Sequence, residues 1–324
     1  MRNDFIVRYN ISVKDKKIYI TSEKVVTTSF LVDISDVFIS LIVALVTGSV
    51  VMLSQALQGG AGLLTSGLLI FGVKKSKRPS DRKHPFGYGR EVYFWTFLSA
   101  LLSFTLTAGL SFYLGFKRFL NPQPINNINL AIIILFISIL TNGYAMSLSF
   151  RRLLGKKVYK NILQIFLHSA FIATKTAFVL DLMGTLASIL GLTSILLYKF
   201  GNYQRLDGLG AMLIGITIAI LAAFILKSAK DLLVGQSAPP QTEEKIKSTV
   251  KALAEVNKVI ALRTLHIGTG TLLVDIEVNL QKDLTTDKIE ALIGQIQADI
   301  VKQVPEAKDV RVELETPEVK VLLR

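Results

Sequence analysis

Six long apolar runs constrain most strongly what this chain can fold into. The runs lie near residues 28–47, 49–73, 91–118, 128–150, 170–198 and 207–233. An α-helix rises about 1.5 Å per residue, so runs of this length cross a hydrocarbon layer about 30 Å thick. The mean hydropathy of +0.48 and the charged fraction of only 19% agree with a membrane environment. The sequence therefore predicts an α-helical membrane protein with six transmembrane helices.

Outside the apolar runs, the chain predicts two smaller units. Residues 4–22 alternate in part between apolar and polar side chains around a KDKK turn, which predicts a β-hairpin within an N-terminal extension at 1–27. The transmembrane domain then occupies 28–238, because the two prolines at 239–240 end the last apolar region. The remaining residues, 239–324, predict a small cytosolic domain.

This carboxyl-terminal region predicts an α+β domain with a three-stranded antiparallel sheet. Its predicted elements are a helix at 242–254, strands at 258–266 and 271–280, a helix at 285–303 and a strand at 308–315. The VDIEV segment alternates cleanly, and the glycines of the GTG sequence mark a turn between paired strands.

The net charge of +13 is unevenly distributed along the chain. Residues 1–240 carry 25 Lys and Arg against 10 Asp and Glu, whereas residues 241–324 carry 12 against 14. Seven of the basic residues lie in 74–90 and five in 151–160, beside apolar runs. Cytosolic loops of membrane proteins are rich in such residues, so both loops, both termini and the carboxyl-terminal domain are predicted to be cytosolic. The same distribution argues against nucleic acid as a partner.

The second apolar run contains polar groups that lipid would not solvate. Ser54, Gln55 and Gln58 lie in it, and Gln55 and Gln58 share a helix face. An unpaired amide in hydrocarbon is costly, so this face is predicted to meet other helices or a water-filled cavity. Polar groups at membrane depth indicate a transport pathway. Hydrogen bonding that merely joins helices is an equally good interpretation of these residues alone.

Two adjoining segments, SVVMLSQALQGGAG at 49–62 and KRPSDRKHPFGYGREVYFW at 77–95, form a membrane helix and the loop after it. They resemble the second membrane helix and following loop of the cation diffusion facilitators, a family of divalent-cation/proton antiporters of the zinc-transporter type. FKRFLNPQPI at 116–125 is similar to a segment of the branch that contains the mitochondrial zinc transporter. The resemblance spans about residues 28–315. It implies six membrane helices, a ferredoxin-like cytosolic domain and a homodimer formed through both.

The family's intramembrane metal site is depleted in this chain. Asp181 matches a metal-binding Asp on the fifth helix, but the matching histidine four residues earlier is Ala177. On the second helix, the two ligand positions hold Gln58 and Gly62. Neither is an anionic or imidazole ligand of the kind that transition metals require. The alternative interpretation of Asp181 is a buried carboxylate that is hydrogen-bonded to Ser or Asn.

Two further carboxylates, Asp33 and Asp36, lie three residues apart on the first run and share a face. They either meet water or Lys175 near the cytosolic end, or supplement the depleted site. In the second case Gln55, Gln58, Asp33, Asp36 and Asp181 would form an oxygen-only cluster, which suits Mg²⁺ or Mn²⁺ better than Zn²⁺. Asp207, at the start of the sixth run, is predicted to be a helix cap or an interface residue.

The basic loop offers a second metal-binding hypothesis. Asp81 and His84 match positions at which some family members bind zinc, whereas Tyr88 stands where a further histidine occurs. One carboxylate and one imidazole are too few for a tight closed site, so a structural turn is the competing interpretation. The chain has no cysteine, which excludes disulfides, iron–sulfur clusters and cysteine-bound zinc.

The sequence leaves two functions open and predicts neither an enzyme nor a bound cofactor. The first is a membrane antiporter that exports a divalent metal cation from the cytosol in exchange for protons, through the atypical site. The second is a non-transporting homologue that acts as a scaffold or as the silent half of a dimer. The predicted partners are the lipid bilayer, a divalent cation and a second copy of the chain.

Overall fold

The computed structural model describes residues 22–154 and 172–315. Nearly all of the predicted hairpin at 4–22 lies outside these residues. Side-chain descriptions begin at Ile34, so the Asp33 side chain also lies outside them.

Seven α-helices form the membrane half of the described chain. They are α1 (Ser22–Thr47), α2 (Val50–Ser76), α3 (Glu91–Leu102), α4 (Gly109–Leu120), α5 (Ile128–Leu154), α6 (Ile172–Gly201) and α7 (Arg205–Val234). A π-helical segment, Ser103–Ala108, joins α3 to α4, so that Glu91–Leu120 is one continuous span. Five of the described spans are long and apolar enough to cross a membrane, while the described apolar part of α1, Ile34–Thr47, is shorter.

Helices α4 and α7 pack with their backbones almost in contact. A Cβ atom on Gly115 would lie 2.7 Å from the Met212 backbone nitrogen, and one on Gly208 would overlap the Phe119 backbone nitrogen. Small residues allow such close approach where no hydrophobic effect drives helices together. Elsewhere α5 packs along α6, and α1 packs along α2.

A buried ion pair ties this helix pair to the start of α2. The Asp207 carboxylate is fully buried and lies 3.0 Å from Arg118 Nε. It also accepts hydrogen bonds from Ser49 Oγ at 2.6 Å and from the backbone nitrogens of Val50 and Val51. Arg118 donates in turn to the Gly48 carbonyl. Asp207 is therefore a helix cap, as the sequence predicts, but it caps α2 rather than its own helix.

The carboxyl-terminal domain is built from two helices and one sheet. Its elements are α8 (Pro240–Lys251), β1 (Val256–Gly268), β2 (Thr271–Leu280), α9 (Thr286–Gln303) and β3 (Ala307–Leu314). Ile246, Val250, Val274, Ile276 and Ile296 are among the fully buried residues of its core. Alternate residues of β2 and the apolar stripes of both helices supply this core, as the sequence pattern indicates.

The predicted antiparallel sheet is wrong for one of its two strand pairs. β1 and β2 pair antiparallel, whereas β2 and β3 pair parallel, in the order β1–β2–β3. The physical reason is the connection between the strands. Helix α9 forms most of the connection between β2 and β3. Such a helical crossover returns the chain to the end of the sheet where β2 began, so β3 runs parallel to β2.

Candidate cation site

Polar side chains from α1, α2, α5 and α6 occupy successive levels inside the helix bundle. At the level nearest the α1–α2 turn, Gln55 Nε2 donates a hydrogen bond of 2.9 Å to Ser188 Oγ. The Gln55 side chain is buried, and its Oε1 has no hydrogen-bond partner among the described residues. Gln58 is also buried, one helical turn further along α2. A buried acceptor without a donor is a group that a cation would satisfy.

At the middle level, Asp36 joins α1 to α5. Ser138 Oγ lies 3.0 Å from Asp36 Oδ1, and the Asn142 side chain also bonds to this carboxylate. Asn142 in turn packs directly on Gly184 of α6. Lys175, the alternative partner that the sequence suggests, is buried between α6 and α7 with its Nζ 3.5 Å from Ser228 Oγ. Asp36 is thus linked to the helix that carries Asp181.

At the level nearest the basic loop, Asp181 is half-buried on α6. Its Oδ2 accepts a hydrogen bond of 2.5 Å from Ser149 Oγ of α5. Thr185, one turn further along α6, bonds to the Asp181 carbonyl. The contact with α5 therefore agrees with the alternative interpretation of Asp181 as a carboxylate that is hydrogen-bonded to a serine.

The register of α2 against α6 places Gly62 level with Asp181. Val51 contacts Gly191, and Gln55 bonds to Ser188, so the two helices run antiparallel. Seven residues beyond the Gln55–Ser188 contact, about two turns along each helix, Gly62 of α2 comes level with Asp181 of α6. A Cβ atom on Gly62 would have no described atom within 4 Å. Open space therefore exists at the position where the resemblance implies a second ligand.

The sequence does not single out Ser138, Ser149 and Ser188, which hold the polar levels together. Serine is common in membrane helices, and only the packing of α5 and α6 shows which hydroxyls meet a carboxylate or amide. Within residues 22–154 and 172–315, no group of three His, Asp or Glu side chains is arranged to hold a metal ion. The donors at these levels are carboxylate, amide and hydroxyl oxygens, a set that fits a hard cation better than Zn²⁺. They lie at successive heights, and the described residues do not bring Gln55 and Asp181 to one point.

Asp81 and His84 come together in the basic loop, but the loop itself uses the carboxylate. Asp81 Oδ1 accepts the backbone N–H groups of Lys83 and His84, and Oδ2 accepts the Tyr88 hydroxyl at 2.6 Å. His84 Nδ1 lies 3.5 Å from Asp81 Oδ1, and both side chains are exposed. The Tyr88 and backbone hydrogen bonds lower the pKa of Asp81, while the same carboxylate raises the pKa of Tyr88. Because Oδ1 already accepts two N–H groups, a metal ion here would have to share Oδ2 with the tyrosine hydroxyl.

Comparison with known proteins identifies both halves of the chain. A family model described as the cation efflux transmembrane domain matches residues 26–234, and one described as the cation efflux protein cytoplasmic domain matches residues 238–317. Among solved structures, a cadmium form of the MamM CTD is 16% identical and covers 24% of this chain and 98% of that chain, with a TM-score of 0.23.

Several curated relatives are transporters by name. The "Proton-coupled zinc antiporter SLC30A9, mitochondrial" of Homo sapiens is 25% identical over 269 residues, which cover 81% of this chain and 47% of that protein. Its Xenopus laevis counterpart is 26% identical over 298 residues, covering 88% and 52%. "Metal tolerance protein C4" of Arabidopsis thaliana is 20% identical over 227 residues, covering 69% and 50%. The chain spans about half the length of these relatives.

Proposed function

Because the chain belongs to the cation efflux family of transporters, we propose that it carries a divalent metal cation out of the cytosol in exchange for protons. The observation that carries this proposal is Asp181, a carboxylate on an apolar membrane helix, opposite the open space at Gly62. A carboxylate is costly at this depth and is retained in membrane helices mainly where ions or protons pass.

The donor set of this site favours a hard cation. Asp181 is the ligand at the level nearest the basic loop, and Gln58 and Gln55 supply amide oxygens at successive levels of the same path along α2. Asp36, with Asp33 three residues before it, adds carboxylates from α1. Mg²⁺ and Mn²⁺ accept such all-oxygen sets, whereas a zinc site in a protein usually has four ligands that include imidazole or thiolate. The mitochondrial antiporters among the relatives are named for zinc, so the loss of nitrogen ligands in this chain predicts a change in ion preference.

Proton exchange follows from the same carboxylate. Asp181 accepts a hydrogen bond from the neutral hydroxyl of Ser149. When the divalent cation leaves, a proton is the natural replacement, because an ionised carboxylate is costly inside a membrane. Asp181 therefore alternates between a cation-bound and a protonated form during the cycle.

The arrangement around the site is part of the proposal. Six transmembrane helices within 28–238 would place both termini and the ferredoxin-like domain at 239–324 in the cytosol, with the extension at 1–27 on the same side. Two copies would form a homodimer through the membrane and cytosolic domains. The match of residues 238–317 to the cytoplasmic domain of cation efflux proteins supports this assembly.

A non-transporting homologue is the second candidate function. It is favoured by the residues at the implied ligand positions, Gln58, Gly62 and Ala177, none of which is a carboxylate or an imidazole. Such a protein would keep the fold and the dimer, and would act as a scaffold or as the silent half of a heterodimer.

Flux into proteoliposomes separates the two functions. The purified chain is reconstituted and assayed with Mg²⁺, Mn²⁺, Fe²⁺ and Zn²⁺, each against a pH gradient. Transport predicts uptake of at least one ion with counter-flow of protons, lost in Asp181→Asn and retained in the matched control Asp231→Asn, an exposed carboxylate paired with Lys230. Absence of flux for all four ions in a folded, dimeric preparation would establish the non-transporting alternative.

A further inference from the structure

The loop end of α2 carries an uncompensated positive surface. Segment 74–90 holds seven Lys and Arg residues, and five of them are exposed: Lys74, Lys77, Arg78, Arg82 and Lys83. No ion pair in the described part of the chain reaches these five side chains. Among the residues that the structure describes, these five charges are therefore uncompensated.

Two acidic residues lie within the segment or directly after it, and both are already engaged. Asp81 accepts hydrogen bonds from two backbone N–H groups and from Tyr88. Glu91 accepts a hydrogen bond of 2.8 Å from Trp95 Nε1 and forms an ion pair of 3.5 Å with Lys75. Both acids thus organise the loop and the start of α3 rather than neutralise the five exposed cations.

An aromatic cluster indicates where this basic surface lies relative to the lipid headgroups. Trp95 packs edge-on against Phe71 and Phe94, with ring centroids 4.7 and 5.4 Å apart, and Lys75 Nζ lies 5.5 Å from the Trp95 ring. Phe71 and Phe94 remain about half exposed. Tryptophan and lysine concentrate at the headgroup level of a bilayer. The cations from Lys77 onward therefore begin at the height of the lipid phosphates.

Contacts with the cytosolic domain hold the loop at this height. Arg311 of β3 stacks on the Phe86 ring, with its guanidinium carbon 5.2 Å from the centroid. The Gly89 backbone lies against Ile267 and Gly268 at the tip of the β1–β2 hairpin, where a Cβ atom would collide with the backbone. The loop is thus held in one conformation by packing against the cytosolic domain.

We propose that segment 74–90 is a binding surface for the headgroups of anionic phospholipids in the cytosolic leaflet. Lysine and arginine side chains donate hydrogen bonds to lipid phosphates, and an anionic leaflet supplies negative charge that no ion pair among the described residues provides there. The inference rests on the cytosolic placement of the loop under the proposed function, but it does not depend on transport.

The single tryptophan makes the proposal directly measurable, because Trp95 lies beside the basic surface. The full chain is reconstituted in vesicles of dibrominated phosphatidylglycerol, dibrominated phosphatidylcholine and their mixtures, and quenching of Trp95 fluorescence reports the lipid beside it. The expected result is a preference for the anionic lipid on the order of fivefold or more, reduced by added salt.

Matched variants distinguish this surface from net charge. Replacing Lys77, Arg78, Arg82 and Lys83 by Gln should bring the preference close to one. Replacing Lys251, Lys258, Lys282 and Lys308 of the cytosolic domain by Gln removes the same charge and should leave the preference unchanged.

Equal quenching by both lipids in the native chain, or a preference that survives the loop substitutions, would overturn the proposal. So would loss of the dimer, rather than of lipid selectivity, in the loop variant. If the native chain shows lipid selectivity but transports no cation, the proposed transport function is rejected and the lipid-binding proposal stands.

Discussion

At the residue scale, the most tightly bound side chains lie away from the cation site, at the start of α2. Asp207 accepts three hydrogen bonds from the capping residues and pairs with Arg118 without access to water. The carboxylate faces the positive end of the α2 dipole, and Arg118 also satisfies the Gly48 carbonyl between α1 and α2. The pair therefore joins three elements through two side chains.

Removal of one member of this pair should be costly. Arg118→Leu leaves a buried carboxylate without its counter-ion, so we expect the full chain in detergent to lose about 3 to 5 kcal/mol of unfolding free energy. Thermal unfolding followed by circular dichroism measures the change. Lys230→Gln, which breaks the exposed pair with Asp231, is the control and should change stability little. A native-like melting temperature in Arg118→Leu would contradict the structural role of the pair.

A second prediction at this scale restores the missing ligand. Gly62 faces open space and is level with Asp181, so Gly62→Asp should fit without a clash and place a second carboxylate across the site. We expect Zn²⁺ affinity to rise by about tenfold or more. Isothermal titration calorimetry of the purified chain measures the change.

Gly60→Asp is the matched control for this substitution. Gly60 also has no described atom near an added Cβ, but it lines an apolar cleft of about 360 Å³ with Leu57, Leu106 and Leu110. The same charge on that face should therefore leave Zn²⁺ affinity unchanged. An equal gain in both variants would show that the register drawn between α2 and α6 is wrong.

How far the sequence predicts the site depends on the residue type. A lone carboxylate such as Asp181 stands out because its neighbours in the sequence are apolar, and Gln55 stands out as an amide inside a long apolar run. Ser149 and Ser188 do not, since a hydroxyl on a membrane helix usually bonds to its own backbone. The sequence also indicates a cap at Asp207, but which helix it caps depends on how α7 packs, and a local pattern cannot supply that.

At the scale of the elements, helices are predictable where apolar runs are long, and strand direction is not predictable from periodicity alone. The predicted and observed bounds of α2 differ by three residues or fewer at each end, 49–73 against Val50–Ser76. The π-helical segment Ser103–Ala108 has no sequence signal in the apolar pattern. The helix between β2 and β3 does predict their parallel pairing, because a β–α–β connection sets the direction of the second strand. Alternation of apolar and polar residues shows only which face of a strand is buried.

The crossing of α4 and α7 carries the prediction at this scale. Gly208 lies where the two backbones meet, so Gly208→Ala must push the helices apart and should cost about 1 to 3 kcal/mol of unfolding free energy. Gly109→Ala is the control on α4, because its added Cβ meets no described atom within 4 Å and its stability should be unchanged or raised. Thermal unfolding of both variants in detergent tests this, and equal stability would argue against close contact at Gly208.

At the scale of the whole molecule, the membrane half and the carboxyl-terminal domain differ in how their charges are distributed. Basic residues of the membrane half gather in loops, whereas the carboxyl-terminal domain is close to neutral with 12 basic and 14 acidic residues in 241–324. The first distribution orients helices in a membrane, and the second suits a domain in water. Junction contacts join the two parts, among them Phe86 with Arg311 and the His266 backbone N–H with the Gln236 carbonyl.

The orientation of the chain gives the last prediction. Glu91–Leu120 is one continuous apolar span, so the loop before it and the loop after it must lie on opposite sides of the membrane. Ser80 and Asn126 are exposed in these two loops, and the native chain has no cysteine that would react in the background. A membrane-impermeant maleimide should therefore label Ser80→Cys only in inside-out vesicles and Asn126→Cys only in right-side-out vesicles. Seven Lys and Arg residues in 74–90 set this direction, because basic loops are retained in the cytosol. Labelling of both cysteines from the same side would reject a single crossing by Glu91–Leu120, and opposite labelling with the sides exchanged would reject the cytosolic placement of the basic loop.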